Sequence, residues 1–174
     1  IINGHIIPAL DEVGKGFEEK RVYLPQLLMS AEAATTAFAE VKKCIKKVEN
    51  SKGEKIILAT VKGDIHDIGK NIVKVILQNY GYKVHDLGKD VSPEKVLECV
   101  DKIQCKLVGL SALMTTTVPA MEETIALLRK SGSRAKVVVG GAVLNETYAA
   151  KIQADHYCPD AMEGERFAES ILQA

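Results

Sequence analysis

From residue 54 onward, short runs of consecutive apolar residues recur about every 25 residues, the spacing of successive βα units. The first is Ile56-Ile57-Leu58-Ala59-Thr60-Val61, and comparable runs are Tyr82 to Leu87, Leu107 to Leu110 and Lys136 to Val139. A run that is apolar at alternate and intervening positions alike fits a strand covered on both faces, as central parallel strands are. The intervening segments carry helical spacing: Ile68, Ile72 and Ile76; Val96, Val100 and Ile103; Met121, Ile125 and Leu128. Asp155 to Cys158 reads as a short fifth strand, followed by a last helix from Met162. Right-handed crossovers then predict an α/β fold, a doubly wound parallel five-stranded sheet.

The first 50 residues follow a different pattern. Ile6, Leu10, Val13 and Phe17 keep helical spacing, and Leu27, Ala31, Ala34, Phe38, Val41, Ile45 and Val48 repeat it over a longer stretch. Pro25 suits the first turn of that second helix, where no hydrogen bond is lost. Glu49 to Gly53 reads as a polar linker. Two helices alone leave too much apolar surface uncovered, so the expectation is half of a four-helix bundle with its partners upstream. The chain opens at Ile1 within the pattern and without a signal peptide, so it reads as a piece of something longer. The expected organisation is a truncated helical cap over 1–50 and an α/β domain over 51–174.

Composition narrows the function. The 174 residues include 23 basic and 23 acidic side chains, and a formal net charge of zero argues against a dedicated nucleic-acid binder. No apolar run approaches the roughly 20 residues of a membrane span. The four cysteines, at 44, 99, 105 and 158, form no Cys-x-x-Cys pair and fit neither a zinc knuckle nor a disulfide framework. Reduced, buried or half-buried thiols in a soluble cytoplasmic chain are the expectation.

Ligands of such sheets bind at the carboxyl ends of the strands, where the strand order reverses. Three strand-end loops carry unusual residues: Val61-Lys62-Gly63-Asp64-Ile65-His66-Asp67-Ile68-Gly69-Lys70-Asn71, then Ser111-Ala112-Leu113-Met114-Thr115-Thr116-Thr117, then Gly140-Gly141-Ala142. The first is not a phosphate-binding loop. Five residues separate Gly63 from Gly69 where that loop has four, and Asn71 replaces the hydroxyl that would hold magnesium. Asp64-x-His66 lacks the further ligands that zinc requires. A lone histidine is often only a structural hydrogen-bonder. One imidazole can nevertheless fill one axial position of a metal whose other sites belong to a macrocycle, with its second nitrogen donating to Asp64.

Asp64-x-His66-x-x-Gly69, Ser111-x-Leu113 and Gly140-Gly141, in this order and at these separations, resemble the three-part signature of cobalamin-binding domains, whose fold is flavodoxin- or Rossmann-like. The first 50 residues resemble the second half of the helical cap that precedes this domain in bacterial methionine synthase and related corrinoid methyltransferase proteins. The resemblance implies cobalamin, carried as methylcobalamin, with His66 as the lower axial ligand to cobalt and Asp64 its hydrogen-bond partner. Thr117 stands where the family has a serine hydroxyl, completing a proton relay that controls binding and release of His66. Gly63, Ile65, Asp67 and Gly69 would flank the ligand, although Asp67 also suits a helix cap. Ser111, Leu113 and Thr115 would contact the nucleotide tail or corrin, and Gly140 and Gly141 would let the tail pass close to the backbone. Asp160 and Ala161 would lie at the corrin edge. Phe17 and Leu24 fall on the cap positions that shield the upper face of the cobalt, and are equally readable as bundle core.

These features imply the methyl-carrying module of a cobalamin-dependent methyltransferase, a cofactor carrier and not a complete enzyme. The run Ala59 to Asn71 and the ending Asp160-Ala161-Met162 look more like methionine synthase, which moves a methyl group from methyltetrahydrofolate to homocysteine, than like a free corrinoid carrier of another methyl-donor system. The partners implied are substrate-binding barrel domains or methyltransferase subunits and a reductive activation partner. A cobalamin light sensor usually presents a cap tryptophan, absent here, and a mutase domain lacks the preceding cap. A flavodoxin-like module without the cofactor would not need the His66 triad.

Overall fold

The computed structural model describes residues 2–44 and 53–172. Five strands form one parallel sheet: β1 (Lys55–Thr60), β2 (Lys83–Asp86), β3 (Leu107–Ser111), β4 (Lys136–Gly140) and β5 (His156–Tyr157). Their spatial order is β2-β1-β3-β4-β5. The chain leaves β1 for one side of the sheet and returns to its other side with β3, so the strand order reverses between them. Helices α3 (Ile68–Asn79), α4 (Pro93–Ile103), α5 (Val118–Lys130), α6 (Glu146–Lys151) and α7 (Ala161–Leu172) connect or follow the strands.

Why the runs are continuous is visible in the packing. Ile57, Ala59, Val61, Val108, Leu110, Val137 and Val139 share one cluster with Val96 and Val100 of α4 and Met121, Ile125 and Leu128 of α5. The intervening Ile56, Leu58, Leu107 and Val138 face the other way, onto Leu77 of α3 and Ala168 and Leu172 of α7. Each of the central strands β1, β3 and β4 thus supplies two cores, and each fully buried Ile or Leu contributes roughly 1.5–3 kcal/mol.

The sheet edges depart from the sequence expectation. The Tyr82–Leu87 run contracts to β2, whose side chains alternate between exposed and half-buried because only one neighbour covers it. The fifth strand shrinks to two residues, flanked by ladder bonds from Asp155 N–H to the Val137 carbonyl (2.8 Å) and from Cys158 N–H to the Val139 carbonyl (2.9 Å). The short α6 had no counterpart in the periodicity. Asn145 starts it, its side-chain oxygen accepting from the Tyr148 N–H at 2.8 Å.

Chain contacts divide the molecule into two compact units, Ile1–Lys46 and Lys47–Ala174. In the first, a short π-helical stretch (Ile2–Ile6) leads into α1 (Ile7–Glu18), and α2 (Leu24–Cys44) follows a tight connection. That connection closes on Gly16, whose carbonyl accepts from Arg21 and Val22 N–H, while Lys20 turns the chain with φ of 61°. A Cβ on Gly16 would stand 2.7 Å from the Val22 side chain. Phe17 is 39% exposed, so it is not bundle core within this unit. Leu24 opens α2, with its side chain outside the described ones. Ile45, Val48 and residues 49–52 of the expected linker also lie outside the described residues.

Candidate functional site

The carboxyl ends of three adjacent strands finish in line. Thr60 of β1 pairs in register with Ser111 of β3, and Ser111 with Gly140 of β4. The three loops singled out in the sequence therefore leave the sheet side by side, two of them from the strands between which the order reverses. Beneath them the Thr60 and Ser111 hydroxyls lie 2.9 Å apart. Thr60 is fully buried and was not anticipated, because it reads as part of an apolar strand.

Asp64 is the hub of the site and has no exposed surface. Oδ1 accepts from the His66 backbone N–H at 2.9 Å and lies 2.8 Å from His66 Nδ1. Oδ2 accepts from the Leu113 N–H at 2.7 Å, the Met114 N–H at 3.3 Å and the Thr117 hydroxyl at 2.9 Å. Burial alone would raise the carboxyl's pKa. The hydrogen bonds from His66 and Leu113 N–H, the His66 ring and the Thr117 hydroxyl outweigh it and bring the value down to about 2. An ionised Asp64 requires the proton of a neutral His66 to sit on Nδ1, which leaves the lone pair on Nε2. The His66 side chain is 46% exposed.

Thr117 ends a single 3₁₀ turn, Thr115–Thr117, and is buried at the start of α5. Its one proton has two acceptors, Asp64 Oδ2 and the Met114 carbonyl at 2.8 Å. Thr115 is exposed at the beginning of that turn. Ile65 and Leu113 are exposed apolar side chains on the two loops that meet at Asp64, at 62% and 43%.

The glycines separate by cause. Gly63 has φ of 83°, and a Cβ there would meet only Thr117 Cγ2 at 3.5 Å. Gly141 has φ of 139°, and its Cβ would fall 1.8 Å from the Ala112 carbonyl oxygen. The protein's own backbone thus demands glycine at 141, a reason additional to passage of a ligand. At Gly140 a Cβ would approach the Cys158 carbonyl to 3.1 Å, whereas Gly69 has open space around it.

Asp67 stands at the N-cap of α3, but its side chain makes no capping bond, contrary to the capping alternative. Only its carbonyl serves the helix, accepting from the Asn71 N–H at 2.8 Å. Asp160 is committed to α7, its carboxylate accepting from the Glu163 N–H at 2.8 Å, and Ala161 is buried beside it. Phe17 and Leu24 belong to the other compact unit.

Lys70 and Lys74 both bond Asp86, at 2.5 and 2.8 Å. Of the cysteines with described side chains, Cys99, Cys105 and Cys158 are free thiols. Burial pushes Cys105 up to about 11 and Cys158 up to about 12, so both stay protonated. Among the described residues no group of three or more His, Cys, Asp or Glu could hold a metal ion. No described helix is long and apolar enough to cross a membrane. The site presents one oriented imidazole, that of His66, flanked by the exposed apolar side chains of Ile65 and Leu113.

Residues 54–171 match the family described as B12 binding domain, and residues 1–42 match a second family of the same description. The chain belongs to the B12-binding domain family. Cobalamin is accordingly its cofactor. A dimethylamine corrinoid protein of Methanosarcina acetivorans is 39% identical over 99% of this chain and 82% of its own length. Methionine synthase of Mycobacterium tuberculosis is 34% identical over 100% of this chain, but the match covers 15% of that protein. Among solved structures, the Methanosarcina barkeri monomethylamine corrinoid protein superposes with a TM-score of 0.88 at 31% identity, covering 98% of this chain and 82% of that one. The methanol:cobalamin methyltransferase complex of the same organism gives 0.69 at 30% identity, covering 99% of this chain and 67% of the matched one. The B12-binding domain is therefore related to corrinoid modules of methyltransferase systems. The expectation that methionine synthase would be the better match is not met, because identity is higher to the dimethylamine corrinoid protein, at 39%, than to methionine synthase, at 34%.

Proposed function

We propose that this chain is a methyl-carrying corrinoid protein that serves a methylamine-type donor through a separate methyltransferase. The carrying observation is the hydrogen-bonded series His66–Asp64–Thr117 at the point where strand order reverses. Cobalamin, when bound, supplies a cobalt centre able to accept a methyl group and pass it to a nucleophile. The chain's own residues control its lower side. Asp64 holds His66 in the tautomer that offers Nε2 to cobalt, and the buried hydrogen bonds to Asp64 keep it ionised.

Proton traffic follows from the geometry of Thr117. With Asp64 ionised, the Thr117 hydroxyl donates to Oδ2. When a proton enters the His66–Asp64 pair, the hydroxyl can turn its own hydrogen onto the Met114 carbonyl and accept from Asp64 instead. The extra proton is thereby held at the pair, and His66 is a weaker donor to cobalt while it stays there. Ser111 and Thr115, with Gly140 and Gly141, would hold the nucleotide tail, and Ile65 and Leu113 would supply apolar contact for the corrin. By the family resemblance, Phe17 and Leu24 would shield the cobalt, and a reductive activation partner would keep the cofactor competent.

The donor class is what the relatives bear on. The 39% identity to a dimethylamine corrinoid protein, against 34% to a methionine synthase, supports a methylamine-type donor over methyltetrahydrofolate. The test presents the reduced, cobalamin-loaded chain with a dimethylamine-specific methyltransferase and, separately, with a folate-binding barrel of methionine synthase. Methylation of the bound cofactor from dimethylamine alone is the expected result. Methylation from methyltetrahydrofolate alone would return the chain to the methionine synthase reading.

A further inference from the structure

The turn after β2 fastens the loop that bears His66, and the fastening converges on one residue. The β1–β2 ladder runs on past β2, with Leu87 N–H donating to the Leu58 carbonyl, Thr60 N–H to the Gly88 carbonyl and Val91 N–H to the Thr60 carbonyl, at 2.9, 3.0 and 3.0 Å. Between the last two sits Asp90. Its N–H donates to the Asp64 carbonyl at 2.9 Å. Its carboxylate Oδ1 accepts from the Gly63 N–H at 2.7 Å. Both bonds end on adjacent residues of the His66 loop, so one residue grips that backbone from two sides. Asp90 does this with φ of 54°, a left-handed conformation that aspartate and asparagine tolerate better than most side chains. The turn is held from behind by Asp86, which accepts from Lys70, Lys74 and the Gly88 N–H.

We infer that Asp90 is a positioning residue for His66: its carboxylate fixes the Gly63–Asp64 backbone so that the Asp64 carboxylate meets the imidazole and the Thr117 hydroxyl together. Toward cobalamin the inference rests on the proposed function, since the oriented imidazole is the feature that a corrin-held metal would use. Gly63 has φ of 83°, so the loop relies on outside bonds to keep its course. Removing the Asp90 carboxylate releases the Gly63 N–H to water and lets Asp64 drift from Nδ1.

Three full-length proteins decide it. Asp90→Gly deletes the carboxylate while relieving the left-handed backbone, and Asp90→Asn keeps an acceptor oxygen and the backbone preference. In the cofactor-free chain, hydrogen exchange at the Gly63 amide should accelerate about fivefold or more in Asp90→Gly and stay near wild type in Asp90→Asn. Nitrogen NMR of His66 should show the Nδ1–H tautomer dominant in wild type and Asp90→Asn, and a mixture in Asp90→Gly. A merely structural role would lower global stability without shifting that tautomer ratio. Unchanged exchange or tautomer in Asp90→Gly, or equal impairment in both variants, overturns the inference. A parallel arm adds methylcobalamin to wild type and follows co-elution. If the wild type retains no corrinoid, the functional reading fails, while the exchange and tautomer data still decide whether Asp90 positions His66.

Discussion

At Gly141 two independent constraints fall on one missing atom. The backbone is left-handed, at φ of 139°, and the place of a Cβ is occupied by the Ala112 carbonyl oxygen at 1.8 Å. Gly63 shares only the first constraint, because its nearest neighbour would be a methyl group at 3.5 Å. Gly63→Ala should therefore cost about 1–2 kcal/mol, whereas Gly141→Ala should cost more than about 3 kcal/mol, since backbone must move. Urea unfolding of the two variants checks the order, and equal losses would contradict the packing described. The sequence made these glycines visible but not the difference between them. The same holds around His66. Asp64 and His66 follow from side-chain identity and spacing, whereas Thr117 follows only from the resemblance to cobalamin-binding domains. The roles of Met114, Asp90 and the Thr60–Ser111 hydroxyl pair depend on backbone carbonyls, backbone amides and strand register, which carry no residue-type signal.

At the level of elements, β2 carries an acid-labile anchor of its own in Asp86. Burial opposes ionisation of Asp86, but bonds from Lys70, Lys74 and the Gly88 N–H prevail and bring it down to about 2. Its folded value lies below its unfolded one, so it stabilises the fold fully above about pH 4 and loses that contribution as the pH falls through about 2. The contribution is about 2 kcal/mol. Asp86→Asn should be less stable than wild type by roughly that amount at neutral pH, and the difference should close as the two curves converge near pH 2, while Asp64 lowers both alike. Parallel curves in denaturant titrations at several pH values would refute the assignment. The central strands were legible because two-sided burial forces continuous apolar runs. The edge strands β2 and β5 were overextended, since covering on one side leaves fewer apolar positions to mark their ends. Six-residue α6 is too short to show a helical period, and only Asn145 marks its start.

For the molecule as a whole, the two compact units carry separable parts of the account. The α/β unit holds all of the strand-end loops, and within residues 60–117 His66 and Thr117 both bond Asp64 directly. The helical unit bears Phe17 and Leu24, for which a shielding role is proposed. Retention of cobalamin should therefore survive Phe17→Ala, while photolysis of the bound methyl form should quicken about twofold or more as water and oxygen reach the cobalt. Gel filtration followed by timed illumination reads both, and loss of retention in that variant would mean that Phe17 serves binding and not shielding.

The central claim is that the His66 imidazole ligates the cobalt of bound cobalamin. It is tested most directly by electron paramagnetic resonance of the one-electron-reduced cofactor on the full chain grown with nitrogen-15 histidine. A nitrogen ligand splits the high-field lines into triplets when it is nitrogen-14 and doublets when it is nitrogen-15. Doublets in the labelled wild type and loss of the splitting in His66→Ala are predicted. Triplets that persist in the labelled protein would show that the nitrogen belongs to the cofactor's own base, and the assignment of His66 would fall.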